Sequence, residues 1–254
     1  MSDDWRDDIN VHSVGHTSGK EMFFRLTPAK ANPESAPIFL LLHGHGTTSR
    51  ATYYAEKNWN VIAPVDNFGY KGKGSWWLGE NGDGVTSELL VQVVNKSKII
   101  LGSSDGVILC IYGSSMGGYG AIVNAKKLNA KAVYANVPQI KLLGSTYSEL
   151  GMKPNFEAVL GDNPDNTYND LSEYIKTVNG DLPLFFLCEN RFGQKNYLKE
   201  HTMSFIATLE ELGSNYHLEI VPTSGHNKNL GIREVKALFE KYIPELDGLI
   251  QQTS

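Results

Sequence analysis

The chain has 254 residues, 41% hydrophobic and 20% charged, which is ample material for one large core of the size α/β domains commonly reach. A formal net charge of -5 without any lysine- or arginine-rich block argues against a nucleic-acid groove, which needs a basic stripe to release counterions. No stretch approaches the roughly 20 apolar residues that cross a bilayer, and Asp3, Asp4, Asp7 and Asp8 stand where a secretion signal needs positive charge; the expectation is a soluble, cytoplasmic protein with a solvated amino-terminal tail.

In chain order, residues 11–16 and 21–28 read as two strands joined by Thr17, Ser18 and Gly19, an antiparallel hairpin at a sheet edge. Beyond the loop 33–37 the pattern changes. Residues 38–42, 61–65, 107–112, 132–135, 184–188 and 218–221 are short apolar runs without alternation, as expected of strands covered on both faces. Helical spacing of apolar positions marks 49–57, 86–98, 116–128, 197–212 and 232–242. This alternation predicts one α/β domain built on a mostly parallel, doubly wound sheet with right-handed crossovers. Residues 140–180 interrupt it, with Pro154, Pro164 and many Asn and Asp, and read as a cap-like insertion above the strand ends after the sixth strand. Cys110 and Cys188 fall in predicted buried strands and lack the spacing of a disulfide framework or a zinc site.

Gly113-Ser114-Ser115-Met116-Gly117 lies directly between a predicted strand and a predicted helix. A serine on so sharp a turn is backbone-strained, and the residues two before and two after it must be small; Gly113 and Gly117 meet that demand. The bare G-x-S-x-G pattern can also be an accidental glycine turn, but the strand-helix setting makes Ser115 the candidate nucleophile. A serine needs a base within hydrogen-bond reach. Of seven histidines, His226, on the loop 223–227 after the last predicted strand, occupies the slot that nucleophile-acid-base chain order requires. Its bland alternative is a helix cap or a solvent-facing ring.

The oxyanion formed on attack needs preorganised N–H donors. Met116 N–H follows the nucleophile, and His45 N–H in the loop His43-Gly44-His45-Gly46 is the second candidate. Two histidines at i and i+2 without a third ligand make a poor metal site, so no metal is expected. The third triad member stays open. The segment after residues 184–188 contains no aspartate; Glu189 is its only carboxylate, Asn196 offers an amide oxygen, and a plain Ser-His dyad is the remaining option. Glu189 could instead pair with Arg191, and Asn196 could cap the helix beginning at residue 197. Residues 66–77 hold Phe68, Tyr70, Trp76 and Trp77 among three glycines. Such rings suit the apolar faces of a sugar, which makes Tyr70, Trp76 and Trp77 candidate substrate-binding residues, unless they form a small satellite core. The phosphate-cradling G-x-x-x-x-G-K-[ST] spacing is absent.

Through Ser115, His226 and the 43–46 loop the chain resembles the α/β-hydrolase superfamily across nearly its whole length. Through Gly113-Ser114-Ser115, Gly117-Gly118, Gly120-Ala121, Pro138-Gln139, Lys141-Leu142 and Ser224-Gly225-His226 it is similar to bacterial capsule and glycan O-acetyltransferases of that fold. The resemblance implies a serine acyl-enzyme that passes an acetyl group to a sugar hydroxyl or to water. No cofactor is implied beyond acetyl-CoA as co-substrate if the enzyme is a transferase. The missing aspartate is a departure from the family pattern. It leaves a non-catalytic glycan-binding member of the fold as the reading from another class.

Overall fold

The computed structural model describes residues 5–46, 50–161, 166–227 and 229–246. Eight strands form one sheet: β1 (Val11–Gly15), β2 (Glu21–Thr27), β3 (Ile38–Leu42), β4 (Asn60–Pro64), β5 (Leu109–Ser114), β6 (Ala132–Asn136), β7 (Leu184–Phe192) and β8 (Tyr216–Ser224). Their order is β1-β2-β4-β3-β5-β6-β7-β8. The predicted hairpin is the antiparallel edge, with β2 also antiparallel to β4; every later pairing is parallel.

The unalternating apolar runs have a simple cause: both faces of the central strands are covered. Ile38, Leu40 and Leu42 of β3 point into one core with Leu89, Leu90 and Val93 of helix α1 (Val85–Leu101) and Tyr119 of α2 (Met116–Asn124). Phe39 and Leu41 point the other way, onto Val235 and Phe239 of α6 (Ile232–Tyr242). Polar alternation would have placed unpaired polar groups in one of these cores.

Among its described residues the 140–180 segment holds a π-helical stretch, Ser148–Met152, the helix α3 (Lys153–Leu160), a 3-10 turn, Thr167–Asn169, and the helix α4 (Leu171–Lys176). Of its residues, 162–165 lie outside the described ones.

Three expectations change. No helix forms over 50–57, and Ser49 lies outside the described residues. There the carbonyls of Glu56 and Lys57 accept from the N–H groups of Lys30 and Ala31, which ties the end of the segment to a neighbouring loop. The 116–128 helix is regular only to Asn124. The 197–212 helix opens as a π-helical stretch, Leu198–Met203, before α5 (Ser204–Glu211). Among the described residues no helix is long and apolar enough to cross a membrane.

Strand register gathers the site. Leu42 pairs Gly113, Ser114 pairs Asn136 and Asn136 pairs Cys188, so the loops leaving β3, β5, β6 and β7 emerge side by side at one sheet edge.

Candidate active site

Ser115 sits between β5 and α2 at φ 57°, ψ -118°, a conformation that costs a side chain about 1–3 kcal/mol and persists only where its surroundings impose it. Its N–H donates to Asn136 O at 2.9 Å, tying the turn to the neighbouring strand. A Cβ on Gly113 would lie 1.9 Å from Gly117 O, and one on Gly117 would lie 2.2 Å from Leu42 O. Both glycines are therefore steric requirements of the elbow.

His226 Nε2 lies 2.8 Å from Ser115 Oγ, though 111 positions separate the two residues in sequence. The loop that carries it is braced from below. The buried amides of Asn136 and Asn190, at the ends of β6 and β7, both donate to Asn227 O at 3.1 Å, and Thr223 donates to Asn190 Oδ1. The imidazole is clamped by rings. Tyr147, from the 140–180 insertion, stacks on it with centroids 5.6 Å apart and planes 18° apart; Tyr197 meets it edge-on at 5.1 Å. Burial among these rings lowers the His226 pKa to about 4, so the ring is a neutral base at physiological pH.

The structure does not join either candidate third member to His226. Glu189 is buried at the β7 end, where its oxygens accept from Asn190 N–H and from the Thr202 hydroxyl, both at 2.8 Å. Its carboxylate thus braces the turn into the helix that carries Thr202, and burial raises its pKa to about 7. Asn196 is exposed at φ 61° and donates through Nδ2 to Thr146 Oγ1 at 3.2 Å; its side chain does not cap the following helix. Among the described residues no carboxylate bonds the second ring nitrogen of His226. Glu189 lies within β7 and its two oxygens are taken by Asn190 N–H and Thr202.

Of the expected oxyanion donors, Met116 N–H directly follows the nucleophile in the chain. Met116 N–H belongs to the first turn of α2, where helical N–H groups have no acceptor within the helix. The loop bearing His45 passes so close that a Cβ on Gly44 would stand 3.2 Å from Ser114 O and 3.8 Å from Ser115 Cβ. The two loop imidazoles have structural partners. His43 donates through Nδ1 to Gly44 O at 2.8 Å and accepts Asp66 N–H at Nε2 at 2.9 Å, while His45 Nε2 bonds Asn155 Oδ1 at 3.1 Å.

The aromatic loop requires a correction. Trp76 and Trp77 are fully buried and cannot offer a face to a sugar; Tyr70, 40% exposed, can. The cause is Asp66, whose buried carboxylate gathers the N–H groups of Phe68, Ser75 and Trp77 and the Ser75 hydroxyl. That folds the chain back and holds both tryptophans at φ 54° and 57°. The Trp77 ring lies flat against Gly120, where a Cβ would come within 2.3 Å of it, and Trp77 Nε1 donates to His43 O.

Sequence reasoning missed Gln139 as a site residue. It is fully buried, donates through Nε2 to Ser115 Oγ at 2.8 Å and accepts at Oε1 from Trp76 Nε1 at 2.6 Å. Its one signal was the Pro138-Gln139 pair that figures in the resemblance to the O-acetyltransferases, three residues beyond the end of β6. Tyr147, Tyr197, Asn136 and Asn190 carried no comparable signal.

No family model and no curated protein matches the sequence. Solved structures do. The chain is similar to the fluorophosphonate-binding serine hydrolase F of Staphylococcus aureus (17% identity, 91% of this chain and 96% of that one, TM-score 0.64). It is also similar to the capsule O-acetyltransferase of Neisseria meningitidis serogroup A (15% identity, 94% and 95%, TM-score 0.64). Dipeptidyl peptidase 4 of Porphyromonas gingivalis matches at 14% identity and TM-score 0.63 over 95% of this chain and 35% of that one. The chain thus spans about a third of the length of the peptidases it matches. With its mostly parallel sheet and antiparallel amino-terminal pair, the chain has the α/β-hydrolase fold.

Proposed function

We propose that the protein is a serine enzyme of ester chemistry that hydrolyses or transfers a short acyl group, acetyl first among them, with a carbohydrate as the ester or acceptor. The observation that carries this reading is the 2.8 Å approach of His226 Nε2 to a serine hydroxyl held on a strained elbow. Capping or solvent exposure would explain neither this separation nor the burial of the imidazole.

Ser115 Oγ attacks the acyl carbonyl as its proton passes to His226 Nε2. The carbonyl π pair moves onto oxygen, where the N–H groups of Met116 and His45 receive it. Collapse breaks the bond to the leaving group, which takes the proton from His226, and an acyl-Ser115 ester remains. Water, or an acceptor hydroxyl, then gives its proton to His226 and attacks the ester. The second collapse releases Ser115, which regains the proton. Among the described residues no carboxylate bonds the far side of the imidazole, and the Tyr147 and Tyr197 rings support the imidazolium of each transition state.

Support for an acetyl group and a carbohydrate is the likeness to the capsule O-acetyltransferase together with the exposed Tyr70 at the mouth of the aromatic loop. A transferase would take acetyl-CoA as co-substrate, which fits a cytoplasmic location. A fluorophosphonate probe should label wild-type protein and not Ser115→Ala. Turnover of a chromogenic acetate ester, with and without an oligosaccharide acceptor and acetyl-CoA, separates hydrolysis from transfer. An unlabelled wild type would leave a non-catalytic protein of this fold.

A further inference from the structure

The protons around Ser115 are oriented from Trp76. An indole N–H only donates, so the oxygen of the Gln139 amide must face Trp76 Nε1, 2.6 Å away. Its Nε2 then faces Ser115 Oγ at 2.8 Å and donates to it. The serine hydroxyl, receiving that bond at one lone pair, has its own proton for its other close partner, His226 Nε2, also at 2.8 Å. That bond needs an unprotonated Nε2 and so a proton on Nδ1. The links from Trp76 to Gln139 and from Gln139 to Ser115 each have one polarity, and they favour this direction for the third.

The anchor is rigid. Trp76 is fully buried at a positive φ, its chain neighbours Ser75 and Trp77 both donate backbone N–H bonds to Asp66, and its indole meets Phe156 edge-on at 5.0 Å. Gln139 has no exposed surface through which to exchange its partners for water. In a Ser-His-Asp triad a carboxylate selects the imidazole tautomer from the Nδ1 side. No carboxylate bonds His226 among the described residues, yet a neutral imidazole with the wrong tautomer is no base toward Ser115.

Resting on the acyl-transfer reading above, we propose that Gln139 is a catalytic residue and Trp76 a positioning residue that together select the base tautomer of His226 from the serine side. The backbone strain of the 66–77 loop thereby acquires a purpose: it aims one indole N–H.

The direct test is the nitrogen NMR spectrum of the histidine rings in the wild-type protein at neutral pH, with the His226 signals assigned by their loss in His226→Gln. A protonated Nδ1 and an unprotonated Nε2 are expected; a proton on Nε2 overturns the proposal. Kinetics supply the second arm. In Gln139→Glu an ionised carboxylate would accept the Ser115 proton, whereas the protonated acid would donate as Gln139 does. Its kcat should therefore gain a limb absent from wild type, falling about tenfold or more as pH rises through that titration, with KM little changed. Trp76→Phe, which deletes the N–H, should lower kcat by about three- to tenfold at constant KM. A Gln139→Glu profile that follows wild type also overturns the proposal, and the wild-type spectrum decides it even if a variant fails to fold. Fluorophosphonate labelling keeps the two readings apart. An unlabelled wild type sinks the acyl-enzyme itself, while a labelled wild type with the opposite tautomer sinks only this inference.

Discussion

Tyr147 lies nearly parallel to His226, ring planes 18° apart, so a residue of the 140–180 insertion fixes the plane of the candidate base. Removing the ring in Tyr147→Ala should free the imidazole to rotate and lower kcat about tenfold or more, because small misplacements of a reacting group are costly. Tyr147→Phe retains the stack and should lose much less. Steady-state kinetics on the two variants check the ordering; equal losses would assign the effect to the hydroxyl.

Glu189→Gln separates a structural carboxylate from a triad acid. If Glu189 only braces Thr202 and Asn190 N–H, kcat should stay within about twofold of wild type, whereas loss of a true triad carboxylate costs on the order of 10⁴. Stability gives an independent reading. The folded pKa of about 7 lies above the ordinary carboxylate value, so the wild-type protein loses stability as pH rises from about 4.5 through 7. The variant should thus be more stable than wild type by on the order of 3 kcal/mol at pH 8 and gain nothing at pH 4.5. Denaturant melts at the two pH values measure the difference.

The pH profile of catalysis should be displaced toward acid. Burial holds the His226 pKa at about 4, so the free enzyme keeps its base neutral well below the usual histidine range. The acid limb of kcat/KM should fall near pH 4, with no inflection near the ordinary value of about 6.5. A limb at the ordinary value would show that the imidazole is solvated or paired with an anion.

His201 makes a matching contribution to stability. It is fully buried beside Tyr197, its Nδ1 accepts the N–H groups of Ile140 and Lys141, and burial lowers its pKa to about 4. The unfolded chain binds this proton at about pH 6.5, so unfolding becomes easier as pH falls from 6.5 to 4, by up to about 3 kcal/mol for this group. Glu189 acts in the opposite direction over part of that range. Comparing wild type with His201→Gln cancels its effect, and the variant should show a shallower loss of stability between those pH values.

Trp77→Ala and Tyr70→Ala should behave as different kinds of change. Deleting the buried indole of Trp77 leaves a cavity against Gly120 and should cost about 3–5 kcal/mol, with activity lost alongside the fold. Tyr70→Ala should leave the melting temperature within a few degrees, and any effect should appear in KM for a saccharide substrate. Thermal melts and acceptor titration distinguish them.

The order of strands and helices, the elbow and the candidate nucleophile and base were all legible from local pattern. Apolar runs and glycines report constraints that neighbouring residues already contain: a strand buried on both faces must be apolar throughout, and a serine turn must be flanked by residues without side chains. The absence of an aspartate after the seventh strand was equally visible. What stands around the pair was not, because Gln139 reaches Ser115, Tyr147 reaches His226 and Trp76 reaches Gln139 through side-chain directions set by three separate segments. The burial of Trp76 and Trp77 followed from one carboxylate, Asp66, collecting N–H groups from up to 11 residues along the chain. Periodicity records which side of an element is dry; only the assembled molecule decides which polar groups meet there, since a hydrogen bond depends on distance in space and leaves no spacing in the chain.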